Sequence, residues 1–353
     1  MKRFLLLLVL FAIPLHFAFP IWETVPRYAG DFLKLGAGAR ALGMANSFIA
    51  VTDDPSVCYF NPAGLGTIQK KELFFLHSEQ FGNLLNYDYL NFIMPLERVG
   101  GIGINLLRAS VDGIKYTRDL QKVSGTSIFT QASIENISLF NFSDYALFFS
   151  IGRQWGTRFQ AGGNLKTLLR YGRQGDYLGA GIGLDLGFLY QPWAFCVLGF
   201  SARDISMTPV FWNSRDRDLN TSAIQEWETT DKILPDLSAA VSLHHQWEQI
   251  QFLLTAQLED LAASQGVEKS PYADHPHRYK LWQEPFKKLK TGAIGFEAGL
   301  EEVLFFRLGH NNIYPWTFGV GGKFFQYHLS LDYAFASHPE LSNSHRLSLS
   351  YKF

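Results

Sequence analysis

The chain has 353 residues and a formal net charge of -1, so it has no basic surplus of the kind that indicates nucleic-acid binding. Charged residues make up 18% of the sequence, below the roughly 25% of soluble domains. Hydrophobic residues reach 47% and aromatic residues 15%. After the N-terminus no stretch is apolar over the roughly 18 residues that a membrane helix requires. Apolar residues dispersed in alternation, as in a membrane β-barrel, would explain this composition.

The first twenty residues have the pattern of a signal peptide. Lys2 and Arg3 form a positively charged start, and residues 4–13 form a short apolar run. Pro14 interrupts this run, which argues against a membrane anchor, and we expect cleavage near Ala18. Residues 1–20 are therefore predicted to direct export from the cytoplasm.

From about Lys71 onward, apolar and polar residues alternate with the two-residue period of β-strands. The closing segment is the clearest case, because its odd-numbered positions 347–353 are apolar and its even-numbered positions 346–352 are polar. The runs are about 9 to 12 residues long, which suits a tilted strand that crosses a bilayer. About fourteen runs can be counted, an even number as in bacterial barrels. They centre near Phe75, Asn91, Ile104, Phe148, Asn164, Leu184, Val197, Val241, Leu254, Phe296, Phe306, Val320, Leu331 and Leu349.

The lengths of the connections support the same architecture. Every second connection is short, namely 95–100, 154–158, 191–193, 246–249, 300–302 and 325–326. The others include three long polar segments, 110–142, 204–235 and 260–291, which we expect to be irregular loops. Outer-membrane barrels combine short periplasmic turns with long external loops. The sequence therefore predicts an all-β membrane protein, a closed antiparallel transmembrane β-barrel of about 14 strands over residues 71–353.

Aromatic residues recur at the ends of the predicted strands, where amphipathic rings sit at lipid headgroups. This set comprises Tyr87, Trp155, Tyr190, Trp193, Trp247, Trp316 and Tyr327. The chain also ends on an alternating strand with Tyr351 and Phe353. A C-terminal aromatic in this position resembles the signal by which the barrel-assembly machinery recognises its clients.

Residues 21–70 follow a different pattern. Asp54-Pro55 and Asn61-Pro62 each place a capping side chain before a proline, which is typical of a helix start. Two short helical turns linked by glycines are too small to fold alone, whereas a barrel of more than eight strands leaves a channel or needs a plug. We therefore expect residues 21–70 to form a short helical plug, or hatch, in the lumen.

The same segment carries a family resemblance. Residues 32–36, 38–44, 53–55 and 61–65 together resemble the N-terminal signature of the PorV/PorQ family, which is related to the FadL-type long-chain fatty-acid transporters. The resemblance implies a fourteen-stranded barrel with its N-terminal segment inside as a hatch. The sequence departs from the pattern at Ala45 and Asn46, where glycine is expected, and at Cys58, where alanine is expected. The matching plug motif comprises Gly36, Gly38, Arg40, Gly43, Asp54, Pro55, Asn61, Pro62 and Gly64.

Motifs for enzymatic chemistry are missing from the sequence. It contains neither a Gly-x-Ser-x-Gly elbow nor a His-Glu-x-x-His zinc motif, so we predict no enzyme and no cofactor. His275 and His277 lie in a charged loop where no cysteine or carboxylate cluster completes a metal site. Cys58 and Cys196 are interpreted as small apolar fillers and not as a disulfide.

Several polar and ionisable residues occupy the inward phase of the predicted strands. They could line a polar path or anchor the plug through salt bridges. The alternative is that the interior of a barrel is simply polar, without a specific role for these residues. The set comprises Asn164, Lys166, Asp185, Glu259, Glu297 and Asp332.

Two functions remain open at this point. The first is passage of hydrophobic small molecules across the bacterial outer membrane, with outer-membrane lipid, the barrel-assembly machinery and a hydrophobic ligand as partners. The alternative, implied by the PorV resemblance, is a non-enzymatic component of a type IX-like secretion system, or a scaffold, that binds protein partners through its long loops. Phe211, Trp212 and Trp227 in segment 204–235 are anchors of the type that interfaces favour.

Overall fold

The computed structural model describes most of the chain. It covers residues 30–97, 100–115, 138–172, 176–217, 224–259, 261, 292–324, 326 and 328–353. The expected signal peptide, the histidines at 275 and 277, and Tyr327 lie outside the described residues. Within these ranges no helix combines the length and the apolar character that crossing a membrane would require.

Short helices come first in the chain, and strands follow. The helices are a 3-10 helix at Asp31–Lys34, α1 at Ala39–Gly43, α2 at Val57–Phe60 and a second 3-10 helix at Pro62–Thr67. The strands are β1 Glu72–Gln80, β2 Leu85–Leu96, β3 Gly100–Lys115, β4 Leu139–Trp155, β5 Phe159–Gly172, β6 Tyr177–Trp193, β7 Cys196–Arg203, β8 Pro209–Arg217, β9 Ile224–Lys232, β10 Asp236–Trp247, β11 Ile250–Leu258, β12 Gly292–Leu300, β13 Leu304–His310, β14 Trp316–Phe324, β15 Leu329–Ser337 and β16 Ser344–Lys352. All the predicted strand centres fall inside strands of this set.

Antiparallel pairing closes most of these strands into a ring. Each of β1–β6 pairs with the next strand, β7 pairs with β10, each of β10–β15 pairs with the next, and β16 pairs with β1. Sixteen strands are described, and the two outside the ring, β8 and β9, leave fourteen. The prediction of a closed antiparallel barrel of about fourteen strands is confirmed.

Segment 204–235 is not the irregular loop that the sequence predicts. It contains β8 and β9, which pair with each other as a hairpin. Strand β6 is 17 residues long, and it pairs with β7 through residues 186–190 and with β8 through residues 177–181. The hairpin therefore extends the wall beyond the end of β7 that lies away from the short turns. The prediction is wrong here because the part of β6 that extends past β7 has unpaired backbone N–H and C=O groups. The polar segment can still form a strand that pairs with these groups.

Burial alternates along the strands. In β1 and β16 every second residue is buried. Within β16, Ser344, Arg346 and Ser348 are buried, whereas Leu347 and Leu349 are exposed. Polar and small side chains therefore face the lumen and apolar ones face outward, the arrangement of a transmembrane barrel.

Exposed aromatic side chains lie near the two ends of the barrel. Those next to the short turns are Trp155, Tyr190, Trp193 and Trp247, and Trp316 begins β14 at the opposite end. The expectation that Tyr87 belongs to this set is wrong, because Tyr87 is fully buried in the inward phase of β2.

Glycines on the inner face of the wall admit the N-terminal segment (residues 30–67) at close range. At Gly162 in β5, an added Cβ would lie 2.5 Å from the carbonyl carbon of Pro62. At Gly199 in β7, it would lie 2.8 Å from the carbonyl oxygen of Ile49. Both contacts are with backbone atoms, which cannot rotate away, so side chains at these wall positions would displace the segment.

We expect Gly162→Ala to destabilise the folded protein by about 1–3 kcal/mol through overpacking against Pro62. Gly163 provides a matched control, since it is the next residue of β5 and an added Cβ would lie 3.3 Å or more from its nearest neighbours. Urea unfolding of the purified variants in detergent micelles measures the difference. Equal destabilisation by Gly162→Ala and Gly163→Ala would contradict this account of the wall.

Candidate functional site in the lumen

The N-terminal segment lies inside the ring of strands. All its residues from 36 to 65 are buried except Thr52 and Asp53. Because its contacts come from strands on different sides of the ring, the wall holds the segment from all sides. Wall side chains donate hydrogen bonds to its backbone carbonyls as follows: Asn91 (β2) to Pro55, Asn164 (β5) to Cys58, Ser242 (β10) to Ala50, Thr317 (β14) to Gly43, and Arg346 (β16) to Leu35 and Gly38.

Asn61 joins two functions at the start of the second 3-10 helix. Its Oδ1 accepts a hydrogen bond from the backbone N–H of Ala63 at 3.2 Å, and Pro62 occupies the first helical position. Its Nδ2 donates to the carbonyl oxygens of Ile49 at 3.0 Å and of Phe188 in β6 at 3.2 Å. A single side chain therefore caps the helix and attaches it to the wall.

The other predicted helix start, at Asp54-Pro55, is displaced by two residues. Asp54 Oδ1 accepts hydrogen bonds from the backbone N–H of Ser56 at 2.9 Å and from its hydroxyl at 2.5 Å. Helix α2 then begins at Val57. The Asp54 side chain therefore stabilises a local turn and does not cap the helix. Asp side chains commonly form such local hydrogen bonds to nearby backbone groups.

Arg40 is the centre of an ionic network between the segment and the wall. Its Nε and Nη2 donate to the two carboxylate oxygens of Glu297 in β12 at 2.8 and 2.7 Å. Its Nη1 and Nη2 also donate to the carboxylate of Asp53 at 3.0 and 3.3 Å. The side chains of Arg40 and Glu297 are only 10% and 6% exposed, whereas that of Asp53 is 56% exposed. Asp53 is therefore the member that faces open space.

The network continues along the wall through Arg307 in β13. Arg307 Nε donates to Glu297 at 2.6 Å, and its Nη1 donates to Asp332 in β15 at 2.7 Å. Glu297 thus accepts from two guanidinium groups, one on the segment and one on the wall. A bidentate arginine pair fixes orientation as well as charge.

The electrostatics keep Arg40 charged. Burial alone would lower its pKa, but the nearby carboxylates of Asp53 and Glu297 outweigh burial and raise the pKa well above its ordinary value. The ion pairs are therefore present over the whole physiological pH range.

A second cluster lies on the β5–β6 side of the lumen. Lys166 Nζ lies 2.7 Å from a carboxylate oxygen of Asp185 and 2.7 Å from one of Asp204. Asn164 Nδ2 is 3.4 Å from Asp185 and 2.9 Å from the carbonyl oxygen of Cys58. The lysine thus compensates two buried carboxylates, and the cluster reaches the N-terminal segment through Asn164.

The six predicted lumen residues therefore divide into groups. Asn164, Lys166 and Asp185 are together, and Glu297 and Asp332 are joined through Arg307. Glu259 accepts a hydrogen bond from Gln257 at 2.7 Å. The sequence prediction named no cation for Glu297 and no second carboxylate for Lys166.

Three participants were missed in the sequence. Arg307 and Arg346 occupy inward positions of their strands, so the same alternation that selected Glu297 could have selected them. Asp204 follows the last residue of β7 and carried no periodic signal. Arg346 is almost fully buried, and its importance becomes visible only through its bonds to the carbonyl oxygens of Leu35 and Gly38.

The departures from the family pattern have a conformational meaning. Ala45 and Asn46 have φ angles of 53° and 59°, in the left-handed region that favours glycine. Asn tolerates this region, whereas alanine carries a cost of about 1 kcal/mol there. The hydrogen bond from Asn311 Nδ2 to the carbonyl oxygen of Ala45 at 2.9 Å helps to hold this turn.

The cysteines are both free and buried. Burial raises the pKa of the Cys58 thiol to about 12, so it stays protonated at neutral pH. An added Cβ at Gly103 would lie 2.6 Å from Cys58 Sγ, which shows how closely the thiol packs against β3. Both properties fit a small apolar filler and do not favour a reactive thiol.

At the C-terminus, Tyr351 and Phe353 are exposed on the outer surface. Their ring centroids are 5.0 Å apart in an edge-on arrangement. The backbone N–H of Phe353 donates to the carbonyl oxygen of Lys71 at 2.9 Å, which ties the chain end beside the start of β1. Both rings are thus open to recognition from outside the barrel.

A cavity of about 540 Å³ remains on one side of the N-terminal segment, near the short turns of β10–β13. Its volume lies within the range of about 300–1,000 Å³ that is usual for small-molecule sites. The half-exposed Asp53 carboxylate borders it. Residues that line it include Arg40, Asp53, His244, Gln251, Glu297 and Phe305. Among the described residues no group of three or more histidines, cysteines or carboxylates is placed to hold a metal ion.

Comparison with solved structures shows the same fold in bacterial transporters. The P. putida toluene transporter TodX superposes with a TM-score of 0.54 at 12% identity, over 90% of this chain and 99% of TodX. The Ralstonia pickettii toluene transporter TbuX gives 0.55 at 12% identity, over 90% and 98%. A Pseudomonas aeruginosa FadL homologue gives 0.53 at 11% identity, over 89% and 97%. No family model and no curated protein matches the sequence.

Replacing Arg40 by methionine is expected to loosen the N-terminal segment by about 1.5–3 kcal/mol, because the segment loses its charged hydrogen bonds to Glu297 while Arg307 still compensates that carboxylate. Hydrogen exchange of the backbone amides in residues 36–65 measures the local opening free energy. Lys34→Met is the matched control, since the Lys34–Asp31 pair is more than half exposed and such pairs contribute about 0–1 kcal/mol. Equal exchange rates in the two variants would show that the Arg40 network does not hold the segment.

Proposed function

We propose that the protein is an outer-membrane channel for small hydrophobic molecules, in which the N-terminal segment acts as a plug against polar solutes. The observation that carries the proposal is the combination of a closed fourteen-stranded wall with a tightly bound segment inside it and a cavity at one side. A sheet closed in this way has a lumen too wide for wall side chains alone to fill.

The outer surface supports placement in a membrane. Large apolar side chains such as Phe75, Ile104 and Phe306 are about half exposed, which would be costly in water over a whole barrel. Exposed Trp155 and Trp247 at one end and Trp316 at the other match the aromatic belts of outer-membrane barrels. The bacterial outer membrane is therefore the proposed location, with the assembly machinery reading Tyr351 and Phe353.

The nature of the transported molecule is proposed from the fold likeness. TodX and TbuX are described as toluene transporters, and another neighbour as a monoaromatic hydrocarbon channel. Barrels of this shape therefore accommodate compact apolar solutes. The cavity described above has a suitable volume for a solute of this kind.

A second candidate is suggested by the β8–β9 hairpin. Its two strands pair over nine residues each, and the side chains of Phe211 and Trp227 are 59% and 45% exposed on it. Exposed aromatic residues on a regular element are typical anchors for a protein partner. The PorV-type role in secretion, or a scaffold role, would use this surface and would need no open path through the lumen. Trp212 is less available for it, because its Nε1 donates to Asp231 at 3.0 Å.

Uptake into proteoliposomes distinguishes the two candidates. Vesicles with and without the purified protein are prepared with lipopolysaccharide in the outer leaflet, which slows unaided entry of apolar solutes, and both are loaded with an enclosed toluene-binding host. We expect radiolabelled toluene to equilibrate faster in the vesicles that contain the protein. Labelled sucrose should enter neither kind of vesicle. Toluene equilibration at the same rate in both preparations would reject the channel and favour the partner-binding role.

Asn61→Ala should raise the leak of small polar solutes. The change removes the cap of the 3-10 helix, at a cost of about 1 kcal/mol, together with the bonds to Ile49 and Phe188. Pro62→Ala should act in the same direction but more weakly, because it loses only the preset helix-start geometry. Swelling of proteoliposomes in arabinose reports the leak. Unchanged swelling rates in both variants would show that the segment does not gate the lumen.

A further inference from the structure

The cavity is built on an ordered grid of side chains at the short-turn end of the wall. Gln246 of β10 is directly opposite Gln251 of β11, and Gln251 is opposite Gly299 of β12. One step deeper, His244 is opposite Leu253, which is opposite Glu297. The first row, at the mouth, thus presents two amides next to a glycine, and the second row presents an imidazole, an apolar side chain and the ionic network.

The arginine and the carboxylates that line the cavity pair with one another, and Lys323 adds a further cation nearby, its Nζ 4.7 Å from the centroid of the Phe305 ring. Each carboxylate oxygen of Glu297 and of Asp53 accepts a hydrogen bond from Arg40. Arg307 binds Glu297 from the other side. A ligand carboxylate would compete with Asp53 and Glu297 for Arg40, whereas a neutral ligand would leave these ion pairs intact.

The neutral side chains at the mouth provide hydrogen-bond acceptors. The amide nitrogen of Gln251 donates to Glu302 at 2.8 Å, and that of Gln246 donates to the carbonyl oxygen of Glu248 at 3.3 Å. With one N–H of each amide engaged in this way, the second N–H and the amide oxygen remain for a ligand, and the oxygen is the acceptor. His244 shares one ring nitrogen with Ser242 at 3.2 Å. A ligand that carries a hydroxyl donor would meet acceptors here.

Next to these acceptors the wall is apolar. Gly299 has no side chain, and the ring of Phe305 occupies the space that a side chain would take there, since an added Cβ would lie 2.8 Å from that ring. Leu253 is buried beside Gln251 in the inward phase of the same strand. A flat apolar body of one ring could lie against this patch while its polar group reaches the amides.

We propose that this cavity is a binding site for a neutral, hydroxyl-bearing aromatic molecule of the phenol class, with Gln246 and Gln251 as specificity-determining residues. The site would be the last one that a solute occupies before it leaves at the short-turn end, and in this respect the inference rests on the proposed function. Selectivity arises because a hydrocarbon that covers the two amide groups displaces water from them without replacing its hydrogen bonds, whereas a phenol replaces one of them.

The test compares 4-methylphenol with toluene, two probes that differ by one hydroxyl group. Isothermal titration of the purified protein in detergent micelles, with empty micelles subtracted, gives both affinities. We expect 4-methylphenol to bind about five- to tenfold more tightly than toluene, the effect of one neutral hydrogen bond. In Gln251→Leu this ratio should fall toward one, and Gln246→Leu should reduce it as well.

The chain offers a matched control on the other side of the ring. Gln154 of β4 is opposite Gln160 of β5, which forms a second cross-strand glutamine pair at the short-turn end, outside the cavity. Gln154→Leu should therefore keep the wild-type preference. Slower migration after heating than before it, on a denaturing gel, verifies that each variant contains a folded barrel.

The outcomes separate this site from the channel proposal. Equal affinities of the wild-type protein for the two probes, or a preference that survives in both Gln246→Leu and Gln251→Leu, would overturn the site. A preference lost in these variants and kept in Gln154→Leu would establish it, because binding is measured without transport. Failure of toluene uptake into vesicles would then reject the channel while leaving the binding site intact.

Discussion

Closure of the sheet between β1 and β16 is the constraint on which the remaining structure depends. A sheet with two free edges would leave rows of unpaired N–H and C=O groups. Such groups are costly in lipid, and in water they promote aggregation. Pairing of the last strand with the first removes both edges. Once the ring is closed at fourteen strands, its circumference is fixed, and with it the width of a lumen that wall side chains cannot fill.

The lumen imposes its own requirement. Backbone carbonyls and amides of a buried segment need partners, and short helices satisfy few of them internally. The wall therefore supplies Asn91, Asn164, Ser242, Thr317 and Arg346 as donors, and glycines such as Gly162 where the two backbones meet. The Arg40–Glu297–Arg307 network also fixes the orientation of the segment in the lumen, because buried charges are stable only in a narrow geometry. The polar interior thus makes specific contacts with the segment.

The cavity is a consequence of the same arrangement. The segment is held closely by β4, β5, β14 and β15, and the unfilled space is left near the short turns of β10–β13. A path that runs beside a fixed segment needs no large displacement of that segment. For this reason the side chains that border the cavity, more than the motif residues of the segment, are expected to govern which solutes are accepted.

The sequence by itself determined the fourteen strands of the ring, the alternation of their two faces and the helix start at Asn61-Pro62. These features follow from local rules, namely the two-residue period and the chemistry of capping. It did not reveal the β8–β9 hairpin, because pairing with the long β6 decides that structure and the local alternation is weak. Nor did it show that Glu297 joins Arg40 and Arg307. Those partners are far apart in the chain, and only the register of the closed barrel brings their charges within hydrogen-bond distance.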